Sequence, residues 1–240
     1  MSLAKLLTKD NFVRRLRAEG ARRYQDRHPF TILLNKGKLS EKQLQAWILN
    51  WFYFQKSLPL KDGAIISNCP IAVVRRLWVS RILDHDGYGE LEGGIEGWLR
   101  FAQASGLDRQ IVLTSKPISG VGLAVDSLLN FARKSSWIEG VATSLTQLFL
   151  PAVVDRRINA LARYYNHIVK PEGLRYFLSL NAQARKDSDT ALTLVIKYAD
   201  SNELREKALR AVLFSEDVLW SILDAIYSAF VVRDSPLHEP

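Results

Sequence analysis

Apolar residues recur along this chain at helical spacing almost from end to end. Ser40-x-x-Gln43 forms a capping box that opens a helix to about Leu58, with Trp47, Trp51, Phe54 and Leu58 on one stripe. Pro59 and Gly63 interrupt it, and Pro70 sits where a first helical turn leads into residues 70–86. Segments near 92–105, 119–136, 137–150, 153–168 and 174–199 keep the same period. Asp200-x-x-Glu203 caps a long last helix whose stripe is Leu204, Ala208, Ala211, Ser215, Val218, Ile222 and Ile226. Strand-like alternation never lasts beyond four or five residues. "RQIVLTSKPISG" (109–120) extends briefly, but Pro117 and Gly120 make it a connector. No repeat, low-complexity tract or linker-like shift divides the chain, and "RDSPLHEP" (233–240) reads as a frayed tail. The pattern predicts one all-α domain over residues 1–240, its core roughly 12–230, built from about seven helices.

Composition narrows the function classes. With 240 residues, 48% hydrophobic and 24% charged, the chain can bury a sizeable single core and is not of disordered type. A formal charge of +8, from 33 Lys and Arg against 25 Asp and Glu, brings nucleic acid into view. The densest basic stretches, "RRLRAEGARRY" (14–24) and "RQIVLTSK" (109–116), carry no interleaved stacking aromatics. They read as solvated helix faces, with an anionic small-molecule ligand second and a nucleic-acid partner set aside. The single cysteine, Cys69, excludes an internal disulfide and fits a reducing cytoplasm. "MSLAKLLTKDNF" lacks the apolar core of a signal peptide, and no apolar run of about 18 residues offers a membrane span.

The chemistry concentrates in "SRILDHDGYGELEGGIEGWLRF" (80–101). Arg81 and His85, four apart, share a helix face, Asp84 and Asp86 flank His85, and glycines follow. An acid–base site, half a metal site and a polar helix end all fit that pattern. A di-iron site needs Glu-x-x-His pairs from different helices. Here Arg81 occupies the position four before His85, no later helix supplies such a pair, and His28, His167 and His238 lie at a break, a polar helix end and the tail. The expectation is a metal-free protein. Cys69, in "SNCPI" at a helix start, is a nucleophile candidate set against the commoner small buried residue. No glycine-rich loop follows a strand, so phosphate-cradling folds are excluded. Arg81 holding an anion beside a proton-moving His85 weighs evenly against a histidine that caps its helix in the charged form.

"RILDHDG" and "GGIEGWL", with "HPF", "NKGKLS", "LPLKDGAI", "SLTQLFLP" and "LWSILDA", resemble the pyrroloquinoline-quinone (PQQ) synthase family over roughly residues 12–230, in family order. The resemblance implies a haem-oxygenase-like helical bundle, a cytoplasmic homodimer, and the last step of PQQ formation. In that step O₂ oxidises and closes a bicyclic precursor, releasing H₂O₂, with no metal or organic cofactor and PQQ as product or ligand. It further implies catalytic roles for His85, Arg81 and Tyr176, and substrate contacts by Lys61, Gln55, Tyr24 and Arg157. Trp51, Phe54 and Gln147 would complete the pocket.

The chain also departs from the family pattern. Gln25 and Val154 stand for histidines, Phe54 and Leu128 for tyrosines, and Gln147 for a glutamate. Trp51 and Leu180 stand for arginines and Ser215 for a lysine. PQQ is a tricarboxylate, and one buried unpaired carboxylate costs ~3 kcal/mol or more. The expected reading is therefore a diverged relative that binds, and oxidises with O₂, a small aromatic or quinoid compound less anionic than the PQQ precursor. A true PQQ synthase and a non-catalytic binding or scaffold protein stand as alternatives. Arg175 and Arg185 are the neighbours able to restore a missing charge.

Overall fold

Eleven α-helices carry the fold in the computed structural model, which describes residues 8–237. They are α1 (Lys9–Arg23), α2 (Pro29–Asn35), α3 (Glu41–Asn68), α4 (Ala72–Asp86), α5 (Gly94–Ala104) and α6 (Arg109–Thr114). The rest are α7 (Ser119–Lys134), α8 (Trp137–Ala142), α9 (Leu150–Tyr164), α10 (Arg175–Tyr198) and α11 (Asn202–Ile226). Short 3₁₀ turns lie at Gln25–Arg27, Thr143–Leu148 and Pro171–Leu174, and a π-helical turn at Tyr227–Val232 extends α11. No strand occurs among the described residues, so the all-α expectation holds. The helices beyond the expected seven are mostly short ones such as α2, α6 and α8.

The capping chemistry explains most boundaries. Ser40 and Gln43 make the reciprocal box at the start of α3. Thr8 accepts from the Asn11 amide at the start of α1, and Asp108 accepts from the Gln110 and Ile111 amides. That cap makes a helix, α6, inside the segment expected to be only a connector. At the last helix the capping oxygen belongs to Ser201, which accepts from Leu204, and not to Asp200. Pro70 lies outside α4, which begins at Ala72.

The largest correction concerns α3, which runs 28 residues straight through Pro59. A proline inside a helix removes one backbone hydrogen bond at a cost of about 3 kcal/mol. Burial on both sides outweighs this, because Trp47, Trp51 and Phe52 precede the proline in the core and Ile65 follows it. The tail is corrected too. Lys42 Nζ lies 2.7 Å from Asp234, the Ser235 amide donates to the Ala229 carbonyl, and Leu237 packs on the core. Residues 233–237 are thus tied down, while His238 lies outside the described residues.

Two apolar clusters share α3. One centres on Trp47, Trp98, Phe101 and Phe177, whose rings meet edge to face at 4.8–5.4 Å. The other gathers Ile65, Trp78, Val141, Leu145, Val195 and Val212. The basic stretch on α1 is a solvated face, as the patterning predicts: Arg15 pairs with Glu19 and Glu206, and Arg23 with Asp217. Among the described residues no single helix is long and apolar enough to cross a membrane.

Candidate functional site

Against the first cluster lies a cavity of about 540 Å³, walled in part by Trp51, Trp98, Leu128, Phe177 and Leu219. All ten residues expected at the site line it: Tyr24, Trp51, Phe54, Gln55, Lys61, Arg81, His85, Gln147, Arg157 and Tyr176. Of the eight departures, Gln25, Trp51, Phe54, Leu128, Gln147, Leu180 and Ser215 are also on its wall. Val154 is not; it is fully buried in the aromatic cluster. Arg175 and Arg185 are both exposed and off the wall, so neither restores a lost charge.

One part of the wall is a closed charge network on α3, α4 and α10. Asp62 is fully buried and stands 3.0 Å from Lys61 Nζ and 3.3 Å from Arg81 Nε. The Trp78 indole N–H also donates to it, and the Arg81 guanidinium lies over the Trp78 ring at 4.7 Å. Asp187 Oδ2 lies 2.8 Å from Arg81 Nη1, an ion-pair distance at an angle that makes no hydrogen bond. Gln147 accepts from Arg81 at 3.1 Å, and Lys61 donates to the Ser144 hydroxyl at 2.7 Å. Burial opposes the Asp62 carboxylate, yet Lys61 and Arg81 outweigh it and hold its pKa below the ordinary value. Burial likewise lowers the Lys61 pKa against the pull of Asp62, and raises that of Asp187 against the pull of Arg81.

His85 stands in the last turn of α4 beside this network, 8% exposed, with its Nε2 buried and without a partner. Burial pushes its pKa down to about 4 despite Asp62, with Arg81 and Lys61 adding to the fall. The imidazole is therefore neutral near pH 7, which sets aside the alternative of a charged helix cap. The glycines after it have a mechanical cause. Gly87 ends α4 at φ 87°, and a Cβ on Gly93 would meet the His85 carbonyl at 2.3 Å, so the hairpin folds flush against the helix end.

A second part of the wall is built differently. Arg157, on α9, is 5% exposed, lies over the Trp47 ring at 5.0 Å, and has no carboxylate partner among the described residues, where its Nε also makes no hydrogen bond. Burial lowers its pKa, and the groups facing it are Tyr24 and Tyr176. Burial in turn raises both tyrosines, so their hydroxyls stay neutral. Gln55 reaches Tyr176, and Trp98 packs edge-on to that ring at 5.2 Å. Behind Tyr24 sits Glu216, wholly buried with both oxygens unpartnered, its pKa pushed up to about 9 by burial and then by Asp217 and Asp26.

The remaining candidates fall away from the cavity. His28 caps α2, accepting from the Phe30 amide with Nδ1 and facing Asp224 with Nε2, and His167 is exposed. Cys69 is a buried C-cap of α3, not at a helix start as expected, and it is off the cavity wall. Among the described residues no three His, Cys, Asp or Glu side chains come together as a metal-binding group. Asp62, Asp187, Ser144 and Glu216 were not anticipated. Only Asp62 offers a signal, as the acid inside "LPLKDGAI".

Comparison with known proteins locates this arrangement. The TENA/THI-4/PQQC family model matches residues 13–225. A pyrroloquinoline-quinone synthase of Cronobacter sakazakii is 43% identical over 239 residues, covering 99% of this chain and 94% of that relative. One of Pseudomonas aeruginosa is 44% identical over 228 residues, covering 95% and 90%. A solved Shewanella denitrificans domain with a haem-oxygenase-like fold superposes with TM-score 0.79 at 11% identity, covering 96% of this chain and 97% of that one. A TenA homologue of P. horikoshii gives 0.72 at 12%, covering 90% and 98%; both likenesses concern fold.

Proposed function

Since this chain belongs to the TENA/THI-4/PQQC family, we propose that it is an aromatic-acid oxidase of the PQQ-synthase type, working without metal or organic cofactor, as a cytoplasmic homodimer. The reaction class moves two electrons and two protons from a reduced aromatic or quinoid compound to O₂ for each H₂O₂ released. The observation that carries the reading is His85: a neutral imidazole whose unpartnered Nε2 sits on the cavity wall beside fixed cations. A neutral histidine held this way can take a substrate proton and return it to reduced oxygen. Arg81 and Lys61, fixed by Asp62, would favour negative charge developing on the ring oxygens.

The PQQ precursor is the substrate that the curated relatives support. Their synthase name, at near full length, favours it at least as well as a diverged relative. A less anionic aromatic is favoured by the wall itself, where three positions that resemble family cation sites hold Trp51, Leu180 and Ser215. The test is aerobic incubation with the bicyclic precursor, following quinone absorbance and H₂O₂ together. Coupled formation of both is the synthase result. No product from the folded protein, with a relative's synthase active alongside, rejects the precursor; no O₂ uptake with any reduced aromatic offered rejects the oxidase and leaves a binding protein.

A further inference from the structure

The charged groups on the cavity wall are not alike. Lys61 pairs with Asp62, Arg81 with Asp62 and Asp187, Asp84 with Lys186 at 3.4 Å, and Glu92 with Arg100. Each charge on that part of the wall is already balanced by protein. Arg157 is the exception. It is buried, lies on the wall, and among the described residues pairs with no acid, facing the Trp47 ring and two neutral phenols. A guanidinium cannot shed its proton to escape this position, and a buried unpaired cation is strongly disfavoured. Glu216, the acid that acts most on Tyr24, does not serve it. The charges that act on Glu216 are those of Asp217 and Asp26, and the titratable groups that act on Arg157 are Tyr24 and Tyr176.

The geometry points to Arg157 as the single anion anchor of this cavity, so that the ligand it is built for is a planar aromatic monocarboxylate rather than a polyanion. The carboxylate would lie against the guanidinium, with the Tyr24 and Tyr176 hydroxyls as further donors, since a carboxylate offers about four acceptor positions. The ring would pack on Trp51, Phe54, Leu128 and Leu180, where a second or third carboxylate would meet apolar surface. This inference rests on the reading of the cavity as an aromatic-acid site and differs from the precursor as its ligand.

Isothermal titration of the full chain with naphthoate, naphthamide and naphthalene dicarboxylate tests it. Naphthoate should bind about tenfold or more tighter than either of the others. Arg157→Gln should abolish the preference over naphthamide, and Arg157→Lys should keep part of it. Far-ultraviolet circular dichroism checks that both variants are folded, and the ligand series on the unaltered protein stands without them. Equal or tighter binding of the dicarboxylate or amide overturns the inference, as does no measurable naphthoate binding or a preference that survives in folded Arg157→Gln. PQQ binding tighter than naphthoate, with the precursor turned over, would also overturn it while upholding the synthase. A monoanion preference with no O₂ consumption would uphold it while removing the oxidase.

Discussion

The two charged regions of the cavity solve the burial of cations in opposite ways. Around Asp62 the protein supplies its own counter-ions, so Lys61, Arg81, Asp62 and Asp187 hold one another and leave His85 neutral. Around Arg157 the described residues supply no counter-ion, but an aromatic face and two phenols. A closed network is a scaffold, complete before any ligand arrives. An open cation is a binding element, whose cost in the empty protein is recovered when an anion binds.

Breaking the closed network should have the largest effect. Asp62→Asn strips two buried cations of their shared carboxylate and should lower unfolding stability by about 3–5 kcal/mol in urea titration. A loss below about 1 kcal/mol would mean that the network does not hold the wall. Matched arginine replacements sharpen the contrast. Arg81→Met should destabilise the ligand-free protein by about 3 kcal/mol, because Asp62 and Asp187 lose their partner. Arg157→Met should be neutral to within about 1 kcal/mol, or stabilising, since it removes an unpaired charge. Equal losses in the two would erase the distinction.

Two pH effects are smaller at any one step. Glu216 holds its proton up to about pH 9 in the folded chain, against 4.5 when unfolded. Over that window the native state binds the extra proton, so stability should fall as pH rises, by at most about 1.4 kcal/mol per pH unit. Glu216→Gln should flatten the slope; an unchanged slope would place the effect elsewhere. His85 works in the other direction. Its folded pKa of about 4 lies below 6.5, so stability should fall as pH drops through that interval. His85→Asn should remove this acid-side component in thermal melts recorded across the same interval.

Local pattern carried much of the fold. The box at Ser40 and Gln43, and the stripe of Trp47 and Trp51, are legible because caps and periodicity act within a few residues. The stripe of α11 is equally plain, with Ala208, Ala211, Ser215, Val218, Ile222 and Ile226 all buried. Helical passage through Pro59 was hidden, because tertiary burial there overrides a local preference. The site divides in the same way. Family-like motifs brought Arg81, His85 and Lys61 to one place, but the pairing of residues 62, 81 and 187 belongs to no local pattern. Glu216 followed by Asp217 looks like a solvated face in sequence, and only the folded structure reveals that Glu216 is buried.

The unbroken α3 has a consequence for how such a pocket can be inherited. One rigid helix supplies Trp47 beneath Arg157, then Trp51, Phe54 and Gln55 along the apolar wall, then Lys61 and Asp62 in the network. Inserting or deleting one residue within it would turn everything beyond by about 100° and displace it by about 1.5 Å. Both regions would then be dismantled in a single event. A lineage carrying this helix can change what it binds only by exchanging side chains at fixed addresses, never by altering length. The neutral residues at 51 and 54, framed by an intact Gln55 and Lys61, have that form.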